Sequence, residues 1–208
     1  MANFHIERDL LKKGYKDIAG IDEAGRGALF GPVVAASVVF SADFIRYCRE
    51  RWISEIDDSK LIALRKRERL AKAILAAAKS VGVGMASNRE IDQHNIQWAS
   101  SEAMKRALQR MSCCPDFLLV DGFQLKDLNC RQLGLIHGDR RSISIAAASI
   151  VAKVLRDEIV GCMDKIFEGY AFFKHKGYGT KVHLKTLEKR GPTELHRFSF
   201  KPINKEKK

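Results

Sequence analysis

Three apolar, strand-like stretches of this chain run into a carboxylate beside glycine or a turn. "DIAGID" leads to Asp22-Glu23 before "AGRG", "PDFLLVDG" to Asp121 before Gly122, and "LGLIHGD" to Asp139 after Gly138. In an α/β sheet, side chains at strand ends project into a shared crevice, so acids remote in sequence can meet there. Carboxylates brought that close raise one another's pKa, and a bound cation resolves the conflict. The donors are hard oxygens with no His or Cys among them, which suits Mg2+ or Mn2+ and argues against zinc or copper. Such a cluster around two ions serves phosphodiester hydrolysis: one ion activates water and the other stabilises the leaving oxygen. Each acid alone is explained by a cap, a turn or a surface charge; their recurrence at strand ends is the signal. Asp57, Asp58 and Asp116, beside Ser or Pro, serve as contrasts and read as cap or turn residues.

Strands and helices must alternate to present those ends. "DIAGID" and "VVAASVVF" read as two strands joined through Gly31-Pro32, "VGVGMAS" as a third and "PDFLLVDG" as a fourth, with "LGLIHGD" a weaker copy. The spacing of Leu61, Leu64, Leu70, Ala73, Ile74 and Ala77 predicts an amphipathic helix over 59–80, capped by Ser59, with Arg65, Arg69 and Lys72 outward. "IQWASSEAMKRALQRM" predicts a helix carrying Trp98 and Met104 toward the core. "ISIAAASIVAKVLRDEIVGCM" is the strongest helix, with Ile143, Ala147, Ile150 and Val154 on its core face and Ser149, Lys153 and Asp157 on another. "KVHLKTLEKRG" reads as a short basic helix closed by Gly191-Pro192. This interleaving argues an α/β fold.

The chain has 208 residues, 46% of them hydrophobic, enough for one main core. Its formal net charge of +12 favours a polyanionic partner, nucleic acid before membrane. No apolar run approaches the ~20 residues of a spanning helix, and no secretory signal is readable, so a cytoplasmic protein is expected. Five cysteines without CxxC or zinc spacing predict reduced, mostly buried thiols.

In order along the chain, "GIDEAGRGALFGPVVAA", "DDSK", "VDG", "GD", "IAAASIVAKVLRD", "HKGYGTKVH" and "HRFSF" closely resemble bacterial ribonuclease HII, over most of the length. The resemblance implies an RNase H-like α/β fold: a mixed central sheet flanked by helices, with a small C-terminal helical extension. It implies a catalytic domain over 1–165 and a basic extension over 166–208 packed on it. The family's catalytic, metal-binding acids fall on Asp22, Glu23, Asp121 and Asp139. Its ribose-sensing loop falls on Gly25, Arg26 and Gly27, where absent Cβ atoms let the main chain approach a 2′-hydroxyl. Its junction tyrosine falls on Tyr178, and Lys60, Ser149 and Lys153 stand where phosphates near the cut can be held. Lys153 could equally pair with Asp157 at i+4, and Asp157 reads as structural.

The implied activity is endonucleolytic: cutting RNA in RNA–DNA hybrids and cutting 5′ to ribonucleotides embedded in duplex DNA, leaving 5′-phosphate and 3′-hydroxyl ends. Mn2+ or Mg2+ is the implied cofactor, with no organic cofactor, no membrane partner and a monomeric enzyme. The chain departs from the family pattern at Leu61, where lysine is usual, at Phe123, where asparagine is common, and at His137, where lysine is frequent. None of these removes a carboxylate. The alternatives are a non-catalytic nucleic-acid-binding protein and a different nuclease of this fold acting on DNA. The first has no use for the acids, and the second none for the "GRG" loop. Glu23 follows a strand residue that should point to the opposite face, so it takes part through its carboxylate, its carbonyl or both.

Overall fold

A computed structural model of the chain describes residues 2–56, 59 and 62–203. Five strands form one sheet: β1 (Ile18–Ala24), β2 (Val33–Val39), β3 (Ser80–Ala86), β4 (Phe117–Asp121) and β5 (Arg131–Leu135). Their order is β3-β2-β1-β4-β5, with β1, β2 and β3 antiparallel and β1, β4 and β5 parallel. The mixed sheet thus puts the ends of β1 and β4, which carry Asp22 and Asp121, side by side. β1 and β2 are central and covered on both faces, which is why they read as nearly continuous apolar runs.

The described helices are α1 (His5–Lys12), α2 (Ala42–Tyr47), α3 (Leu64–Ala77), α4 (Asn88–His94), α5 (Ile96–Gln109), α6 (Ile143–Met163), α7 (Phe172–His175) and α8 (Lys181–Arg190). Helix α6 lies across β1 and β2 with α1, α2 and α3 around it, and α5 covers the other face. The crossing of α6 over β1 is close: a Cβ on Gly20 would stand 2.1 Å from the carbonyl carbon of Ser144. Ser142 caps α6 by accepting from the Ile145 N–H at 3.2 Å. The buried Glu7 carboxylate accepts from the Ser142 hydroxyl at 2.6 Å and the Ser144 N–H at 3.0 Å, so α1 is fastened to the same helix end. A third apolar cluster joins Leu29 and Phe30 to Val160, Tyr170, Phe172 and Leu187, fixing the C-terminal segment beside the loop that follows β1.

Several expectations need correction. Helix α3 begins at Leu64, not near Ser59, and Ala63 precedes it without a side-chain cap. The Ser59 hydroxyl is instead 3.0 Å from that of Ser149. The helix ends at Ala77 because Lys79 donates its N–H to Val39 and the chain enters the sheet. Leu64 is half exposed on the first turn. Trp98 faces outward against His94, with ring centroids 4.2 Å apart, while Met104 does reach the core. All five cysteines are free thiols as expected, but none is buried: they sit on element ends and loops outside the apolar clusters' centres. Helices α1, α2, α4 and α7 are too short for the apolar spacing to announce them. Among the described residues no helix is long and apolar enough to cross a membrane.

Candidate active site

Asp22 and Glu23 close β1, Asp121 closes β4, and Asp139 lies beyond β5 rather than at its end. After Leu135 the chain passes through His137 in the left-handed region (φ +54°) into a single 3-10 turn, Gly138–Arg140, which carries Asp139. Asp121 fastens that turn by accepting from the Gly138 N–H at 2.7 Å. One cleft of about 250 Å3 is lined by Asp22, Glu23, Gly25, Arg26, Gly27, Asp121, Asp139, Ser149, Lys153 and Tyr178. Every predicted site residue within the described part is therefore brought together. Lys60, with Leu61, lies outside the described residues.

The acids are under strain from one another and from burial. Asp22, only 6% exposed, accepts the Glu23 N–H at 2.6 Å. Burial first, then the charges of Glu23 and Asp121, push the Asp22 carboxyl well above the usual range, against the pull of the Ser149 hydroxyl and the Glu23 N–H. Glu23 is also raised, mainly by burial and partly by Asp121, although Arg26 stands 3.1 Å from its carboxylate and opposes the rise. Among the described residues no three His, Cys, Asp or Glu side chains stand together as a group that could hold a metal ion. The donors nevertheless fit a hard divalent cation: they are carboxylate oxygens only, and their mutual repulsion is what a cation relieves.

The opposite wall is built from paired groups. Gly25 has φ +100°, and a Cβ there would meet Arg156 Nε at 2.0 Å, so glycine is required twice over. The fully buried Arg156 donates to the carbonyls of Pro32 (3.2 Å), Lys176 (3.0 Å) and Phe30 (3.2 Å). Arg197, also fully buried, donates to Gly31 (3.0 Å) and Arg26 (2.8 Å). A bridge between Ala28 and Tyr178 and the Leu29 N–H to Gly177 (2.8 Å) join the loop to "HKGYG". The Tyr178 ring lies 4.9 Å from Lys153 Nζ and 5.1 Å from the Arg156 guanidinium carbon. Lys153 does pair with Asp157, at 2.8 Å, and that pair is buried, with Arg67 at 3.4 Å on the second carboxylate oxygen.

Behind Tyr178 runs a chain of histidines whose tautomers follow from their ends. The Thr193 N–H can only donate, to His196 Nδ1 at 2.8 Å, and the Tyr178 carbonyl can only accept, from His183 Nδ1 at 3.0 Å. His196 Nε2 therefore donates to His183 Nε2 across 3.1 Å. Burial pushes both His183 and His196 down to about 4, so both are neutral near pH 7. Sequence reasoning missed Arg156, Arg197, Ser59 and these histidines as supports of the site. All of them lie within the stretches that carry the family resemblance, where the sequence showed their presence but not what they touch.

A family model for Ribonuclease HII matches residues 19–203. A Ribonuclease HII of Caldicellulosiruptor saccharolyticus is 45% identical over 95% of this chain and 93% of its own length. The chain belongs to the ribonuclease HII family. A second relative, the Ribonuclease HII of Ligilactobacillus salivarius, is 47% identical over 96% of this chain and 75% of its own. Among solved structures, ribonuclease H2 from Pyrococcus horikoshii OT3 superposes with a TM-score of 0.73 at 22% identity, covering 91% of this chain and 96% of that one. Bst-RNase HIII in complex with Mn2+ superposes with a TM-score of 0.66 at 20% identity, covering 92% and 69%. The RNase H-like α/β fold is thereby established. This ribonuclease HII family member is a ribonuclease H hydrolase, an endoribonuclease for RNA–DNA hybrids.

Proposed function

We propose that the enzyme also incises duplex DNA on the 5′ side of embedded ribonucleotides, by metal-dependent hydrolysis with two ions, leaving 5′-phosphate and 3′-hydroxyl ends. The observation that carries this reading is the meeting of Asp22, Glu23, Asp121 and Asp139 with the Gly25–Gly27 loop and Tyr178 in one cleft. Asp22, Glu23, Asp121 and Asp139 would hold the cations, Mg2+ or Mn2+; the solved Bst-RNase HIII relative is a Mn2+ complex. When bound, the cations supply Lewis-acid charge that activates water and stabilises the leaving oxygen.

The chain's own groups do the rest. Gly25, Arg26 and Gly27 offer main-chain N–H and C=O groups to a 2′-hydroxyl, which is both donor and acceptor, so deoxyribose leaves a partner unused. Tyr178 packs on the sugar where RNA gives way to DNA. Lys153 and Ser149 orient the phosphate, and Asp157 holds the Lys153 ammonium near the Tyr178 ring rather than free in solvent. The 1–165 body supplies the acids and the 166–208 extension supplies Tyr178, acting as a monomer in the cytoplasm without an organic cofactor.

The test is a DNA duplex with one embedded ribonucleotide, with Mg2+ or Mn2+, beside an all-deoxy duplex. Wild type is expected to cut only the first, on the 5′ side of the ribonucleotide, and Asp22→Asn to lose that activity. Cutting of the all-deoxy duplex, or an unchanged rate in Asp22→Asn, would overturn the reading.

A further inference from the structure

The acid cleft continues into a second, larger groove of about 640 Å3 between α5 and the segment after β4; Glu23, Arg26 and Asp121 line both. Two aromatic side chains stand in this groove without a place in the core: Phe123 is 79% exposed and Trp98 38%. Neither is loosely held. Gly122 turns the chain outward with φ +79° while donating to Leu135 at 2.9 Å. Two residues past Phe123, the buried Leu125 is clasped by the Gln132 side-chain amide, which accepts its N–H at 2.8 Å and donates to its carbonyl at 2.7 Å. Phe123 is thus presented to solvent by a loop pinned on both sides. Trp98 is braced by the His94 ring and sits on a helix start capped by Asn95. Arg26, Lys105 and Lys126 line the same groove beside the carboxylates of Glu23, Asp121 and Asp127, with Arg26 3.1 Å from Glu23 and Lys105 3.7 Å from the exposed Asp127.

We propose that this groove seats the 5′ flank of the strand being cut, with Phe123 and Trp98 packing on its sugars and Lys105 and Lys126 near its phosphates. Aromatic faces suit this role because the sugars of a duplex, unlike its stacked base faces, stay open to apolar contact whatever the sequence, and cations track the backbone. The side follows from what lines each space. Tyr178 lines the acid cleft and not the groove, whereas Phe123 and Trp98 line the groove and not the cleft. With Tyr178 on the sugar 3′ to the ribonucleotide, as the proposed function has it, a strand whose scissile phosphate sits at the acids leaves them on its 5′ side toward Phe123. The inference rests on that reading for its polarity. Continuity with the acids is what favours nucleic acid over a protein as occupant.

The experiment measures binding, so it does not depend on cutting: fluorescence anisotropy of labelled single-ribonucleotide duplexes without divalent cation. Three duplexes are compared, one with both flanks, one with the cut strand trimmed on the 5′ side, and one trimmed on the 3′ side. Phe123→Ala and Trp98→Ala are each expected to weaken the untrimmed and 3′-trimmed duplexes about tenfold and leave the 5′-trimmed duplex unaffected. Phe123→Tyr is expected to retain wild-type affinity. Equal losses on all three duplexes, no loss on any, or a loss spared by 3′ trimming would overturn the proposal. Flank-selective binding in a protein that cuts no ribonucleotide-containing duplex would support the groove and overturn the proposed reaction.

Discussion

On one wall of the cleft, Asp22, Glu23 and Asp121 crowd carboxyl groups together, and burial with the charge of Asp121 opposes the ionisation of Asp22 and Glu23. On the other, the Gly25–Pro32 loop and Tyr178 rest on groups whose hydrogen bonds are largely met, through Arg156, Arg197 and His183. The contrast separates two demands. A wall that recognises a sugar by the positions of its main-chain groups must not move, and buried guanidiniums bonded to several carbonyls hold it still. A wall that receives cations and a phosphate gains from unrelieved charge, because binding then removes an existing repulsion.

The largest effect that would sharpen this comparison is at Asp22. Asp22→Asn keeps an acceptor for the Glu23 N–H but removes the buried charge. Cutting is expected to fall by more than about a hundredfold, since even outer partners of metal ligands are worth 10–100-fold. The metal-free protein is expected to be more stable at neutral pH, because a carboxylate disfavoured by burial and by its acidic neighbours is gone. Denaturant unfolding and a cutting assay on one preparation check both; a less stable, inactive variant would mean that the carboxylate is not strained.

At the opposite wall, Arg156→Met leaves the carbonyls of Phe30, Pro32 and Lys176 without this donor. A loss of about 3 kcal/mol is expected. Among molecules still folded at low temperature, preference for a single embedded ribonucleotide over an all-deoxy duplex should weaken. Selectivity unchanged from wild type would show that the loop does not need the arginine to keep its geometry.

The walls also predict opposite responses to pH. Asp22 and Glu23 have folded pKa values above the ordinary 3.8 and 4.5, so the folded chain retains protons the unfolded chain has lost. Their contribution is greatest below that range and declines as pH rises through the raised values. His183 and His196 are lowered from 6.5 to about 4, so the unfolded chain binds protons the folded chain refuses, and stability declines as pH falls from 6.5 toward 4. Between the carboxylates' ordinary range and about pH 6.5 the two contributions to the unfolding free energy therefore run in opposite directions, and added divalent cation should lift stability toward the alkaline side, where the carboxylates ionise, and not the acid side. Lifting of the acid side as well would break the division. The smallest effect is at Asp116, whose carboxylate accepts the N–H groups of Lys16 and Asp17 at 2.7 and 3.1 Å on the surface. Asp116→Ala should cost about 1 kcal/mol in stability and leave cutting unchanged.

That Asp121 ends a strand and so reaches the cleft was legible from sequence, because strand ends have local signatures, whereas Asp116, five positions earlier and expected to serve a cap or turn, instead ties down Lys16 and Asp17 a hundred residues away. The strands, helix α6 and the acids at Asp22, Glu23 and Asp121 were legible for the same reason, since apolar periodicity and glycine punctuation act over a few residues. Asp139 was found as an acid but misplaced, because the left-handed His137 and the 3-10 turn bring it back to Asp121 through a hydrogen bond that periodicity cannot express. Trp98 looked like core because spacing gives a helix face but not what covers it, and here it stands partly open to solvent against the His94 ring. By itself, then, the sequence determined which chemistry was present and roughly in what order its elements occur. Only the tertiary structure decided that Arg156 and Arg197 reach from α6 and the C-terminal segment to the loop after β1, and that Glu23 and Asp121 are close enough to raise the pKa of Asp22. Charge interaction and buried hydrogen bonding depend on distance through space, which the order of residues along the chain does not contain.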